Sequence, residues 1–280
     1  MGRERIVRIV AGVCAAALAL AVAACGGSDD DEGGAAPSGD RETTTTVGAE
    51  PVQILVTNDD GVGAEGIDTL VTALSGLDGV EVTVVAPATQ QSGTGGNATD
   101  GPLTTNEAQT ASGHPASAVD GFPADTIRVA FDEQGVEPDL VVAGINEGQN
   151  LGPLVDVSGT IGAARAAVRR GVPALAVSQG LGADLDYDVA AGLVTDWVEQ
   201  NLDAIRAGDL STTTVLNLNV PTCDTGELRG EVEVASATAG NPVAPSDCTS
   251  TADGQTDDVA AFTAGFATLT EVPVDPATGG

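Results

Sequence analysis

The chain has no lysine, one histidine, one tryptophan, one tyrosine and four phenylalanines in 280 residues. These shortages exclude whole classes of function. Only ten basic residues face 41 acidic ones, for a net charge of −31. No basic face can therefore hold a phosphate backbone, and a nucleic-acid polymer is excluded as a partner. The only histidine, His114, lies in a polar loop and is not assigned as a general acid. No C-x-x-C or Cys/His spacing supports a zinc site. With so few aromatics, Ala, Val, Gly and Leu must fill the core. Burial then comes from many modest contacts, each methylene contributing about 0.8 kcal/mol. No internal repeat is visible.

Arg3, Arg5 and Arg8 precede an apolar stretch from Ile9 to Ala24. That stretch is shorter than the roughly 20 residues of a spanning helix and has the form of a secretory h-region. Its end, Leu20-Ala21-Val22-Ala23-Ala24-Cys25-Gly26, resembles a bacterial lipobox. The expectation is a lipoprotein signal peptide over residues 1–24, a lipidated Cys25, and an extracytoplasmic, membrane-anchored protein. Residues 25–50, rich in Gly, Asp, Thr, Ala and Glu, read as a disordered tether. A single domain over 51–275 suits the usual domain size of roughly 100–200 residues. Cys14 would leave with the signal peptide and Cys25 would carry lipid. Cys223 and Cys248 then remain as a pair in an oxidising compartment, where a disulfide is expected.

Within the domain, apolar runs alternate with helical patterns. Strands are predicted near 52–57, 81–86, 139–145, 172–178, 213–219, 231–235 and 266–272. Helices are predicted near 65–76, 123–133, 160–170 and 187–206; the last places Trp197 on an apolar stripe. Stretches 93–101 and 237–256 read as loops. The predicted fold class is α/β, a doubly wound, mostly parallel sheet in a Rossmann-like three-layer arrangement with a short carboxyl-terminal β-rich region.

The most informative stretch is Gln53-Ile54-Leu55-Val56-Thr57-Asn58-Asp59-Asp60-Gly61. A buried parallel strand ends in two adjacent carboxylates, at the sheet edge where ligands of open α/β folds bind. Like charges this close call for a cation. Gly61-Val62-Gly63-Ala64-Glu65-Gly66 also reads as the G-x-G-x-x-G of a dinucleotide site. Asp59, Asp60 and Glu65 would repel a pyrophosphate there, and the second strand ends in Ala86-Pro87 rather than an acid. A nicotinamide oxidoreductase is therefore set aside. Ser92 follows the second strand and Asn146 the third, so all three loops open on one edge of a parallel sheet. Oxygen donors of this kind suit Mg2+, Mn2+ or Ca2+ rather than zinc.

Thr57-Asn58-Asp59-Asp60-Gly61-Val62, with Ala64 and Gly66, resembles the opening of the SurE family, the survival-protein 5′/3′-nucleotidases. Further blocks follow in the same order. They are Val84 to Pro87 with Gln91-Ser92-Gly93, Val119 to Asp125, Pro138 to Gly148, Ser158-Gly159-Thr160, Leu216 to Pro221, and Thr256-Asp257 with Gly265-Phe266. The resemblance spans about residues 52–272. It implies a single divalent cation held by Asp59, Asp60, Ser92 and Asn146, with Asp59 and Asp60 catalytic. It also implies hydrolysis of a phosphomonoester, a nucleoside 5′-monophosphate or its 3′ counterpart. Asn58, Ser158, Gly159 and Thr160 are the expected phosphate contacts, since a helix amino terminus favours an anion. Whether Asp59 is a base or only a ligand stays open, as does a homodimer. Gly63 and the short 220–256 segment depart from the family pattern. The alternative reading is a non-catalytic surface lipoprotein that binds a ligand or metal on the same fold.

Overall fold

The computed structural model describes residues 50–275. The expected signal peptide, Cys25 and most of the tether lie outside the described residues. Among those described, no helix is long and apolar enough to cross a membrane.

The elements in chain order are β1 (Val52–Thr57), α1 (Glu65–Ser75), β2 (Val80–Pro87), β3 (Thr105–Gln109), β4 (Pro115–Val119) and α2 (Pro123–Arg128). They continue with β5 (Leu140–Glu147), α3 (Gly159–Val168), β6 (Ala174–Gln179), α4 (Tyr187–Ala207), β7 (Thr214–Val220), β8 (Glu231–Glu233), α5 (Asp258–Thr263) and β9 (Ala267–Pro273). Nine strands form one sheet in the order β3-β4-β2-β1-β5-β6-β7-β9-β8. Pairings from β4 through β7 are parallel; β3 on β4 and β9 on β7 are antiparallel.

The period of two along β1 sorts the core into layers. Val52, Ile54 and Val56 point to one face, where they pack with Ile67, Leu70 and Leu74 of α1 and Val194 and Val198 of α4. Trp197 joins this cluster, half-buried. Leu55, with Val85 and Val141, faces the other side against Ile127 of α2 and Ile161, Ala163 and Ala167 of α3. The result is the three-layer α/β/α architecture expected from the sequence. A third, small cluster joins Leu151, Ala237, Val259 and Phe262, and places the largest fully buried side chain under the loop that follows β5.

Three local expectations are corrected. The sequence reading has no strands between 101 and 119, yet β3 and β4 form a hairpin there. His114 sits at its turn, facing Thr72 (3.3 Å), away from the strand tips that carry the acids. α5 was not expected. The helix near 123–133 gives way at Val129 to a wider π turn through Glu133.

Cys223 and Cys248 are joined by a disulfide across 25 residues, with Cα atoms 5.6 Å apart. It fastens the long 221–257 connection to the end of β7. Replacing both cysteines with serine should lower unfolding free energy by roughly 3 kcal/mol, the loop-closure value for such a separation. Denaturant melts of the two proteins measure it; equal midpoints would count against a stabilising bond.

Candidate active site

The chain leaves β1 for β2 on one side and returns to β5 on the other, so the carboxyl ends of β1 and β5 flank the topological switch point, where open α/β sheets bind ligands. Asp59 and Asp60 follow β1, Ser92 follows β2, and Asn146 lies at the end of β5 behind a register shift between Ala143 and Asn146. A bulge beside a site commonly re-aims a side chain. Asp59, Ser92, Asn146 and Ser158 line one cavity of about 190 Å3.

Asp59 is only 2% exposed. The Thr160 hydroxyl donates to its Oδ1 at 2.7 Å, and the Gln91 N–H donates to its main-chain carbonyl at 2.6 Å. Burial raises its pKa, against the opposing pull of the Thr160 hydroxyl and of the Gly159 and Thr160 N–H groups. The first turn of α3 is thus already aimed at Asp59. Gly159 permits this approach, since a Cβ there would lie 2.8 Å from the Asp59 Cβ. Asp60 accepts from the Glu147 N–H at 3.0 Å. Burial, with the charges of Asp59 and Glu147, pushes its pKa up to about 6; the Glu147 N–H and Ser92 side chain oppose the shift.

The other expected residues take definite places. Asn58 is fully buried and closes a turn on Gly61, donating to its carbonyl (2.9 Å) and accepting from its N–H (3.2 Å). Ser158 caps α3 by accepting from the Ile161 N–H at 3.2 Å. Asn146 donates through Nδ2 to the Gly148 carbonyl, which leaves its Oδ1 as the atom for a cation. Arg165, the basic residue of α3, is spent elsewhere: it donates to Asp156, Val155 and Pro273.

The sequence reading missed a supporting layer. Asn150 lines the cavity and is held by a hydroxyl of β6 and two amides of β7. Its N–H donates to Asn219 Oδ1 (2.6 Å), its Nδ2 to the Ser178 hydroxyl (2.9 Å), and its carbonyl accepts from Asn217 Nδ2 (2.9 Å). Asp258, fully buried at the start of α5, accepts from the N–H groups of Gly152 and Ala237. The visible signal was Asn217-Leu218-Asn219, two amides at strand period inside an apolar run.

Larger cavities lie elsewhere. One of about 650 Å3 sits at the amino ends of the strands between Gln53, Glu81, Asp139 and Arg206; another of about 480 Å3 lies between Asp247, Asp257 and Val259. Neither gathers the strand-tip residues. Among the described residues, no group of three or more His, Cys, Asp or Glu side chains surrounds a common point. A cation at the switch point would therefore need the Ser92 and Asn146 oxygens besides the two carboxylates. This all-oxygen set, with a buried acid and no basic side chain in the lining, fits a hard divalent ion.

A family model described as "Survival protein SurE" matches residues 54–241. The chain belongs to the SurE family. A relative named 5′-nucleotidase SurE, from Brevibacillus brevis, is 40% identical over 187 residues, covering 65% of this chain and 71% of that protein. A second of the same name, from Methanopyrus kandleri, is 38% identical over 195 residues, with 65% and 70% covered. The crystal structure of the SurE protein from Aquifex aeolicus superposes with a TM-score of 0.66 at 26% identity, covering 81% of this chain and 95% of that one. The SurE match ends before Cys248, so it takes in Cys223 and most of the segment that the disulfide closes but not the second cysteine.

Proposed function

We propose that this SurE protein is a metal-dependent nucleotidase that removes phosphate from nucleoside 5′-monophosphates, held outside the cytoplasm by lipid on Cys25. The observation that carries the reading is the convergence of Asp59, Asp60, Ser92 and Asn146 at the switch point. Relatives named 5′-nucleotidase supply the reaction class. The export reading rests on Arg3, Arg5, Arg8, the apolar run and the lipobox-like end.

In this reading Asp59, Asp60, Ser92 and Asn146 hold one Mg2+ or Mn2+. When bound, the ion supplies Lewis acidity to the phosphoryl group and makes water a better nucleophile at neutral pH. Asp59 is fixed by Thr160 and the first turn of α3. Asp60 is fixed by the Glu147 N–H. Ser158 and Gly159 border the place for the phosphate, and Gln149 and Asn150 also belong to the wall. Asp59 is buried, so its charge acts at lower dielectric than that of the half-buried Asp60.

The test is phosphate release from a panel of nucleoside monophosphates by the purified protein with Mn2+, Mg2+ or chelator. Release that needs metal is expected. A folded protein that releases nothing with any metal would leave the ligand-binding lipoprotein reading. Membrane fractionation, with mass spectrometry of an acylated Cys25 peptide, tests the anchor.

Metal uptake should depend on pH with a definite sign. Asp60 titrates near 6 in the metal-free fold against about 3.9 in an unfolded chain. Its pKa is raised, so its contribution to stability is full below about pH 4 and is lost as pH rises through about 6. A cation needs the ionised form and competes with that proton. The rise in Tm given by Mn2+ should therefore be small at pH 5 and grow as pH rises through 6, and the raised pKa of Asp59 acts in the same direction. A metal-induced shift of equal size across this range would contradict it.

A further inference from the structure

We propose that the exposed aliphatic side chains Leu181, Val157 and Val243 form the nucleobase subsite of the active centre, holding the base without aromatic stacking. The inference rests on the phosphomonoesterase reading and adds where the rest of the substrate lies. Four large hydrophobic residues are prominently exposed in the described domain: Val157 (53%), Leu181 (55%), Val189 (38%) and Val243 (60%). Three of them stand on segments that are joined to the wall of one cavity. Val157 lines the cavity beside Leu154. Leu181 lies 3.6 Å from where a Cβ on Gly148 would stand, and its N–H donates to Gln149 Oε1 at 3.1 Å. Val243 precedes Ala244, whose carbonyl accepts from Gln149 Nε2 at 3.3 Å. Gly148 and Gln149 are themselves part of the cavity wall.

Size makes the same point. At about 190 Å3 the cavity is smaller than the roughly 300–1,000 Å3 of pockets that enclose a drug-sized ligand. It has room for the phosphoryl group and its cation, so a nucleoside must extend over the mouth. The cavity lining includes Gln149 and Asn150, whose amides hold Ala244, Leu181 and Ser178 in place, and the apolar rim stands on those same segments. Exposed apolar patches rimmed by polar groups mark binding sites. No aromatic ring lines the cavity. An aliphatic rim reads the face of a base and not its edge. It therefore favours purines, which offer more apolar face, and discriminates poorly between adenine and guanine.

The experiment compares kcat/KM for AMP with that for ribose 5-phosphate, which lacks a base, in the wild type and in Leu181→Ser, Val243→Ser and the double variant. Both side chains are solvent-facing, and melting curves check the fold. The wild type is expected to prefer AMP. The AMP to ribose 5-phosphate ratio should fall about fivefold in each single variant and further in the double, the scale of a partly buried aliphatic contact. Equilibrium binding of adenosine, followed by NMR shifts of the leucine and valine methyl groups, should weaken in parallel. A wild-type ratio near one, or a ratio and adenosine affinity unaltered in the double variant, would overturn the subsite. If the wild type hydrolyses neither ester, the nucleotidase reading fails; adenosine binding then decides the subsite alone, being lost with Leu181 and Val243 or refuting it.

Discussion

Asp59→Asn should abolish metal-dependent phosphate release, by at least about 10³-fold, while the metal-free protein melts no lower than the wild type. The first half follows from position. Asp59 is the buried carboxylate that would hold the cation, and losing a cation aimed at developing phosphoryl charge costs on that scale. The second half follows from electrostatics. In the metal-free fold the Asp59 carboxyl is held above its ordinary pKa by burial, so the ionised form is a burden on stability at neutral pH. An asparagine keeps the shape and an oxygen for the Thr160 hydroxyl at 2.7 Å without the charge. Two readouts therefore separate function from folding: turnover with Mn2+, and the Tm with and without it. The variant should lose both turnover and the metal-induced rise in Tm. If it still turned over at a tenth of the wild-type rate, Asp59 would not be at the centre of the chemistry. If the metal-free variant melted well below the wild type, the carboxylate would be structural.

Which parts of this arrangement show in the sequence depends on how local their cause is. β1, β5 and β6 announce themselves because central parallel strands are buried on both faces and read as apolar runs, and β2 because its carboxyl half does. Residues such as Asp59 and Asn146 are legible because they interrupt such a run at its carboxyl end. β3 is not legible: Thr105-Asn106-Glu107-Ala108-Gln109 is a mostly exposed edge strand with no apolar alternation, and its structure comes from pairing with β4. α5 has six residues, too few to show a helical period. Asn150 and Asp258 were missed because their partners are distant. Asn150 meets Asn219, 69 residues away, and Asp258 meets Gly152, 106 residues away. A single sequence carries no trace of such pairings except the oddity of buried amides in β7. The phosphate contacts expected from Ser158-Gly159-Thr160 have acquired a second physical reason. Gly159 and Thr160 are needed to bring α3 against Asp59 whether or not an anion binds there.

The same holds for the misleading glycine fingerprint, and it yields a prediction of comparable size. Gly66→Ala should destabilise the domain by about 2 kcal/mol, the middle of the range for overpacking a tight contact. It should also reduce turnover by about 10²-fold, the cost of a displacement near 1 Å in a reacting group. A Cβ on Gly66 would stand 2.0 Å from the Ile145 carbonyl oxygen and 3.2 Å from the Tyr187 ring. The first neighbour is backbone and cannot rotate away, so either the first turn of α1 or the tip of β5 must move. Alanine's better helix propensity, about 1 kcal/mol over glycine in a helix interior, offsets little in a first turn that is already held by packing. Ile145 immediately precedes Asn146, and Asn146 with Glu147 is the β5 contribution to the cavity. The displaced atom is therefore next to a proposed cation ligand. Glycine in the third position of G-x-G-x-x-G serves close helix–strand packing in dinucleotide folds, and the same steric demand is met here beside two carboxylates instead of a pyrophosphate. Gly63 provides the control, because a Cβ there meets nothing within 4 Å and its φ is not in the left-handed region. Gly63→Ala should leave the melting temperature near that of the wild type. Measured by Tm and by kcat with Mn2+, Gly66→Ala should fall in both and Gly63→Ala in the first hardly at all. Equal stability of the two variants would mean that α1 and β5 are not in the close contact on which the placement of Asn146 depends.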